Sequence, residues 1–195
     1  MSSEPAILGW DIGGVNLKVA RLSSTIEALP PRSTCQPFEV QREIESLPHT
    51  LRSLARALDA AATDLHAVTM TAELSQAFRT KREGVAYVLD ALEAGFPSDS
   101  LHVYTVDGEF VSPQVARRRP LHVAASNWSA TACWVSRRFP AAILIDIGST
   151  TTDVIPIADG DVVALGHTDP ERLATGELVY TGALRTPVEA LVRQV

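Results

Sequence analysis

One pattern occurs twice in this chain. Asp11-Ile12-Gly13-Gly14-Val15-Asn16-Leu17-Lys18-Val19 recurs without a gap as Asp146-Ile147-Gly148-Ser149-Thr150-Thr151-Thr152-Asp153-Val154. Each copy follows an apolar run, Ala6-Ile7-Leu8-Gly9-Trp10 or Ile143-Leu144-Ile145, and leads into an alternating stretch. Each therefore reads as strand, tight Asp-x-Gly turn, strand. A single turn of this kind says little, because Asp and Gly serve any hairpin. Two copies in the same local context predict paired lobes that hold a shared ligand between matching loops.

The loop chemistry points to an anion. Glycines at positions 13, 14 and 148 are expected to let backbone amides approach a ligand and to supply positive φ where needed. Successive exposed amides, around Gly13–Asn16 and Gly148–Thr152, make a concave nest suited to phosphate oxygens. Ser149, Thr150, Thr151 and Thr152 add hydroxyl donors without fixed charge. Lys18 is placed to supply a point charge, or else faces solvent from an extended strand. Asp11 and Asp146 end the strands, and a carboxylate beside a polyphosphate is repulsive unless a cation or a transferable proton intervenes. Their natural roles are water-mediated Mg²⁺ binding, shared with Asp153, or proton acceptance. The structural alternative is that both simply close turns.

Composition excludes several classes. The formal charge of −6 argues against a general nucleic-acid binder, whose phosphate contacts need a basic face. Arg117-Arg118-Arg119 is the one basic run and reads as a solvated loop before Pro120. No apolar run approaches the length of a membrane span. The N-terminus lacks a signal pattern, so the cytoplasm is the expected location. Cys35 and Cys133 form neither a metal motif nor a disulfide framework. The five histidines, His49, His66, His102, His122 and His167, show no ligand spacing and read as surface or turn residues.

Along the chain, apolar strands alternate with helices, which indicates α/β architecture. Strands are expected at Ile7–Asp11, Val15–Leu22, Gln36–Val40, Ala67–Thr71 and Leu101–Val106. Leu47, Leu51, Leu54, Ala55 and Leu58 mark one amphipathic helix; Val85, Val88, Leu89 and Leu92 mark a second, ended by Gly95 and Pro97. A helix over Ala124–Phe139 carries Trp128 and Trp134, both expected in a core. The first lobe spans residues 1–139. A second lobe over 140–195 opens with a meander, Ile143–Gly148, Thr152–Ile157 and Asp161–Leu165, turned at Asp159-Gly160. Val188–Val195 reads as the start of a helix, so the second lobe is expected to be truncated, completed by a missing C-terminal lobe or by homo-oligomerisation.

The two loops resemble the first and second phosphate motifs of the actin, sugar-kinase and Hsp70 superfamily. More narrowly, the chain resembles the hydantoinase/oxoprolinase-like proteins of the tetrahydromethanopterin-linked one-carbon pathway. The resemblance rests on Gly9–Gly14, Thr69–Leu74, Ala125–Trp128, Asp146–Pro156, Gly176–Gly182 and Arg185-Thr186-Pro187. It implies an actin-like ATPase (ribonuclease H-like) fold. It also implies a transferase of methanofuran-type cofactor biosynthesis that joins an aminomethylfuran-methyl diphosphate to glutamyl-tyramine or glutamyl-tyrosine and releases diphosphate. The partners would be that small diphosphate and a phenolic acceptor, with no nucleic acid and no membrane. Mg²⁺ is the expected cofactor. ATP, as in sugar kinases or oxoprolinases, is less favoured because no adenosine-gripping segment is evident, and a non-catalytic phosphate-binding module is the third reading.

Four further residues are candidates for substrate contact. Glu73 follows a strand where an α/β sheet presents its carboxyl edge, and either meets a substrate amine or is a helix N-terminal acid. Asn127 either caps a helix or faces the cleft. Tyr180 and Arg185 match the family stretch and would orient an acidic or aromatic substrate; Arg185 would equally serve a surface carboxylate. Thr168–Leu173 also matches the family, with no role derivable for His167, Asp169 or Glu171.

Overall fold

The first copy of the repeat forms the expected hairpin. The computed structural model describes residues 5–23, 31–184 and 186–188. Strand β1 (Ile7–Ile12) pairs antiparallel with β2 (Asn16–Leu22), setting Asp11 opposite Lys18 and Ile12 opposite Leu17. Beyond β2 lies β3 (Arg32–Pro37), also antiparallel. The other edge of β1 takes β4 (Leu65–Met70) in parallel, and β4 takes β5 (Leu101–Tyr104) in parallel. A short β6 (Phe110–Val111) completes the order β3-β2-β1-β4-β5-β6. Three antiparallel strands followed by two parallel to the first make the ribonuclease H-like sheet of the actin-like fold.

Parallel pairing requires crossovers, and helices supply them. The first runs through α1 (Val40–Glu43) and α2 (Leu47–Ala57), the second through α3 (Lys81–Glu93). Leu47, Leu51, Leu54 and Ala55 of α2 and Val85, Val88, Leu89 and Leu92 of α3 recur at helical spacing. They bury one core with Leu8, Trp10, Ile12, Val68 and Met70. The Thr80 hydroxyl caps α3 by accepting from the Glu83 amide. Two short helices, α4 (Pro113–Arg118) and α5 (Pro120–Val123), follow.

The chain divides into two compact units, Met1–Asn127 and Trp128–Val195. Helix α6 (Asn127–Ser136) thus groups with the second unit almost entirely. Strand β7 (Ala142–Ile147) pairs antiparallel with β8 (Thr152–Ala158), which is flanked by β9 (Asp161–Val162) and β10 (Leu178–Val179). The register repeats that of the first hairpin, with Asp146 opposite Asp153 and Ile147 opposite Thr152. Asp159 and Gly160 both have positive φ, 54° and 84°, as the β8–β9 turn requires. Helix α7 (Asp169–Thr175) begins with a capping box between Thr168 and Glu171 and ends at left-handed Gly176. The family stretch Thr168–Leu173 therefore has a local structural role. Among the described residues, no helix is long and apolar enough to cross a membrane.

Several expectations are corrected. The strand expected at Gln36–Val40 is β3, four residues earlier at its start, because Val40 already begins a helix. The Asp161–Leu165 strand stops at Val162, and the Leu165 amide instead bonds the Glu177 carboxylate. The Ala124–Phe139 helix is shortened at both ends: Ala125 has φ of 50°, which no helix accommodates, and the chain leaves the helix after Ser136. Arg117 is no solvated loop residue but lies on α4, where it pairs with Asp90 and Glu93 of α3. Trp134 is exposed beneath Arg138, whereas Trp128 is buried. The expected helix at Val188–Val195 lies, apart from its first residue, outside the described residues.

His66 departs furthest from its expected surface position. It is only 3% exposed, stands 4.0 Å from Phe96 centroid to centroid, and accepts at Nδ1 from Trp10 Nε1 at 3.0 Å. The ring is neutral in this arrangement. Burial pushes its pKa from 6.5 down to about 4, against the pull of Asp64. The unfolded chain takes up this proton near the ordinary value, the folded chain only near the depressed one. Stability is therefore full above the ordinary value and declines as pH falls through that window. Between about pH 7 and about pH 5 this group alone should remove about 2 kcal/mol. Denaturant unfolding of wild type and His66→Gln, which keeps an acceptor for Trp10, should show a loss smaller by that amount in the variant.

Candidate functional site

Each loop is closed by one backbone bond at the same place. The Gly13 amide donates to Asn16 O at 3.0 Å, and the Gly148 amide to Thr151 O at 2.8 Å. Neither glycine has positive φ, nor does Gly14, so that expectation is corrected. The requirement is close approach instead. A Cβ at Gly13 would fall 2.7 Å from Asn16 O, and one at Gly148 would fall 3.2 Å from Thr151 O; Gly14 faces open space.

A second set of bonds straps each loop from outside. In the first, Val40 N donates to Gly14 O (3.1 Å) and Phe38 N to Val15 O (3.0 Å). In the second, Ala183 N donates to Gly148 O (2.9 Å) and Leu184 N to Ser149 O (3.0 Å). Among the described residues, the amides of Gly14, Val15, Ser149 and Thr150 meet no protein acceptor. Carbonyls that would repel an anion are thus occupied, and two successive amides per loop stay available. Gly182 makes the second strap possible, since a Cβ there would fall 2.4 Å from Thr150 N. The sequence signal for this strap was Gly182 in the stretch Tyr180-Thr181-Gly182, whose partner loop the sequence does not reveal.

The hydroxyl run is only partly available. Thr152 Oγ1 donates to Thr181 O at 2.6 Å and so serves the strap rather than a ligand. Ser149 Oγ and Thr150 Oγ1 lie 3.5 Å apart, and Thr151 is half-buried beside Gly148. Asn16 is half-buried in the first turn, its carbonyl closing the loop.

The carboxylates divide by environment. Asp11 Oδ2 receives Lys18 Nζ at 2.9 Å, so the Lys18 charge is directed at a neighbour, while Asp11 Oδ1 is buried with no partner among the described residues. Asp146 is exposed. Opposite it, Asp153 Oδ1 receives Arg172 Nη1 at 2.6 Å. That guanidinium is 1% exposed, lies 3.9 Å from the Trp128 ring centroid and donates to Glu177 O at 3.0 Å. Burial lifts the Asp153 carboxyl above its ordinary range; Arg172 opposes this and the Asp146 charge adds to it. Asp153, expected as a metal ligand, has a buried cation as its partner. Among the described residues, no three His, Cys, Asp or Glu side chains converge as a metal cluster. Arg172 was missed from sequence because nothing in a charged residue on a short helix signals that it points inward.

Glu177 carries the second buried carboxylate of this unit. Desolvation would raise it, but donation from the Leu165 amide (2.7 Å), the Gly166 amide (2.8 Å) and the Thr175 hydroxyl (3.0 Å) leaves it below the ordinary range.

The substrate candidates lie in different local settings. Glu73 is buried after β4 and accepts the Ala125 amide at 2.8 Å, which clamps the positive-φ residue ahead of α6. Gly84 allows this, because a Cβ there would fall 2.6 Å from Glu73 Cα. Thr71, not foreseen, stands beside the first loop, its amide bonded to Ile12 O at 2.9 Å. Asn127 begins α6, Tyr180 is part-exposed just after β10, and Arg185 lies outside the described residues.

A strapped loop beside an aspartate on the ribonuclease H-like sheet of the first unit, and its counterpart on the separate four-stranded sheet of the second, define a protein of the actin-like fold class. Residues 64–195 match the hydantoinase/oxoprolinase family, and the chain belongs to it. It is 38% identical over 190 residues to the (4-{4-[2-(gamma-L-glutamylamino)ethyl]phenoxymethyl}furan-2-yl)methanamine synthase of Methanocaldococcus jannaschii, covering 97% of this chain and 54% of that one. A shorter stretch of 53 residues is 55% identical to the synthase of the same name from Methanococcus vannielii, 27% of this chain and 23% of that one. The chain thus spans about half the length of the Methanocaldococcus relative. Among solved structures, ethanolamine utilization protein EutJ from Carboxydothermus hydrogenoformans aligns with a TM-score of 0.45 at 18% identity, over 82% of this chain and 50% of that one. The polyphosphate/ATP-glucomannokinase from Arthrobacter aligns with a TM-score of 0.45 at 14% identity, over 89% and 72%.

Arg172→Ala should cost about 3–5 kcal/mol in denaturant unfolding, because it leaves a buried carboxylate without its cation. Adding Asp153→Asn should return a measurable part of that loss. Equal instability of the single and double variants would show that packing on Trp128, rather than charge, is what Arg172 provides.

Proposed function

We propose that this chain carries the leaving-group site of a transferase that joins a phenol oxygen to the methylene carbon of an aminomethylfuran, with diphosphate as the leaving group. The name of the relatives describes such a product, a furan-methanamine bearing a phenoxymethyl arm. The observation that carries the reading is the second loop, where the available amides of Ser149 and Thr150 sit between a strap and the exposed Asp146.

In this reaction the phenol oxygen attacks the furan-bound methylene, the bond from that carbon to diphosphate oxygen breaks, and diphosphate leaves with the electron pair. The loop amides, and the Ser149 and Thr150 hydroxyls, donate to the charge that develops on the leaving group. The phenol proton passes to the Asp146 carboxylate. Asp146 is preferred over Asp11, which already holds Lys18, and over Asp153, which holds Arg172. The oxygen donors of Asp146 and its neighbouring hydroxyls suit Mg²⁺ reached through water; when bound, the ion offsets diphosphate charge. Tyr180 offers a part-exposed ring to the aromatic acceptor, glutamyl-tyramine or glutamyl-tyrosine. A small phosphorylated intermediate implies a cytoplasmic enzyme.

Incubation with the furan diphosphate, the phenolic acceptor and Mg²⁺ should release diphosphate only when the acceptor is present. Asp146→Asn should lower kcat by about 10²-fold or more, with diphosphate affinity measured in the absence of Mg²⁺ retained. Gly182→Ala, which displaces the Ser149-Thr150 amides, should weaken diphosphate binding at least about tenfold by calorimetry. Tighter binding of ATP than of diphosphate, with phosphate release from ATP, would overturn the reading in favour of a phosphoryl transferase.

A further inference from the structure

Three polar side chains of the first unit meet outside the phosphate loops. His122 of α5 has Nδ1 2.9 Å from Oδ2 of Asp107, which lies in the turn between β5 and β6. Arg119, at the junction of α4 and α5, places Nη2 3.3 Å from His122 Nδ1 and 3.5 Å from His122 Nε2. Among the described residues Arg119 has no carboxylate partner. The trio is open to solvent: the Asp107 and His122 side chains are 43% and 41% exposed, and Arg119 is exposed. Folding gives little reason for it. An exposed ion pair adds little stability, and the Val106 amide already ties α5 to the turn by donating to His122 O at 2.8 Å. A shallow niche with an apolar floor of Val111, Val115 and Val123 has Arg119 and His122 in its lining. The trio also shares a sheet edge with the first loop. Ala124, two residues past His122, bridges in parallel to Met70 of β4, and Met70 stands opposite Ile12, which leads into Gly13. Two interstrand spacings, about 10 Å, carry the edge from that loop to Ala124.

We propose that Asp107, Arg119 and His122 bind an α-amino-acid head, the free end of the γ-glutamyl arm on the phenolic acceptor. This rests on the transferase reading above, and the name of the relatives keeps a γ-glutamyl group in the product. Charge selects the ligand. One guanidinium and one carboxylate, side by side, complement a ligand that carries an ammonium and a carboxylate on the same carbon. The Arg119 fork takes the ligand carboxylate as a bidentate pair, exchanging an imidazole contact shared between two ring nitrogens for a charged acceptor. Asp107 accepts from the ligand ammonium, and His122 holds the Asp107 carboxylate in place. The valine floor takes the methylenes of the arm. A bare phosphate or a dicarboxylate is disfavoured here, because it would bring negative charge against Asp107 with no ammonium to offset it.

Calorimetry on the full chain compares γ-glutamyl-tyramine with tyramine, with the α-methyl ester and with the N-acetyl derivative. Removing the head, its carboxylate charge or its ammonium should each weaken binding at least about tenfold. Arg119→Gln should weaken γ-glutamyl-tyramine binding by a similar factor and leave that of the methyl ester unchanged. Asp107→Asn should do the same for γ-glutamyl-tyramine and leave the N-acetyl derivative unchanged. Arg118→Gln, whose wild-type side chain bonds Gln114 O, should bind as wild type. Circular dichroism checks folding; should Arg119→Gln not fold, Arg119→Lys, which keeps the charge and loses the fork, takes its place. No binding of γ-glutamyl-tyramine, equally tight binding of tyramine, or discrimination that survives both substitutions would each overturn the inference. Diphosphate release separates it from the transferase reading. Release with an acceptor KM indifferent to Arg119→Gln sinks the head site and keeps the reaction, whereas head-specific binding without release keeps the site and sinks the reaction.

Discussion

A glycine amide turned back onto the carbonyl three residues ahead fixes the geometry on which both loops depend. Once Gly13 and Gly148 make that bond, the next two peptide units of each loop project outward, and a strap takes up carbonyls on the far side. What remains is a short row of donors whose neighbouring carbonyls are taken up, with one aspartate carboxylate beside each loop. The anion preference we propose would follow from this subtraction more than from an added cation, since Lys18 is held by Asp11. Such a cradle acts on an oxygen's developing charge without a large reorganisation, since the amides are held before the ligand arrives.

The same hairpin is embedded with opposite faces inward. Residues directly across an antiparallel pair share a face. In the first unit the buried face is that of Leu8, Trp10, Ile12, Leu17 and Val19, so Asp11 and Lys18 lie on the other, wetter side. In the second unit Ile155 and Ile157 are buried, and they share their face with Asp146 and Asp153. A solvated lysine suffices to balance Asp11, whereas Asp153 is drawn into the protein and requires a buried guanidinium. The exchange of Lys18 for Asp153 at matched positions is therefore a consequence of which face is covered. It leaves Asp146 as the carboxylate least encumbered by a protein cation.

Local features were legible and non-local ones were not. The hairpins, α2, α3 and the Asp159-Gly160 turn follow from periodicity and turn chemistry over short stretches, and the duplicated motif gave the common register of the two hairpins directly. The role of the glycines was misread, because sequence shows that a side chain is absent but not whether φ or proximity excludes it. His66, Arg117 and Arg172 were misjudged or missed for a common reason: each is a polar residue held by a partner distant in the sequence, Trp10, Glu93 and Asp153 respectively. Glu73 likewise has the composition of a site residue but is held by Ala125, fifty-two positions away. The substrate class came from resemblance, since anion cradles of this kind do not distinguish one phosphoryl ester from another.

Face inversion also accounts for the exposed isoleucines of the second unit. A sheet strand that is apolar at every position, as Ile143-Leu144-Ile145 is, suits burial on both faces. Strand β1 places Gly9 and Asp11 on its wetter face; β7 places Ala142, Leu144 and Asp146 at the matching positions and isoleucines on the other face. The Arg172–Trp128 packing and α7 supply one layer. A strand with this composition would be poorly chosen for an open edge, where natural sheets favour charge, proline or brevity. The isoleucines of β7 are thus exposed at positions whose counterparts in β1 are core residues, and the difference lies in what covers the two hairpins rather than in their register.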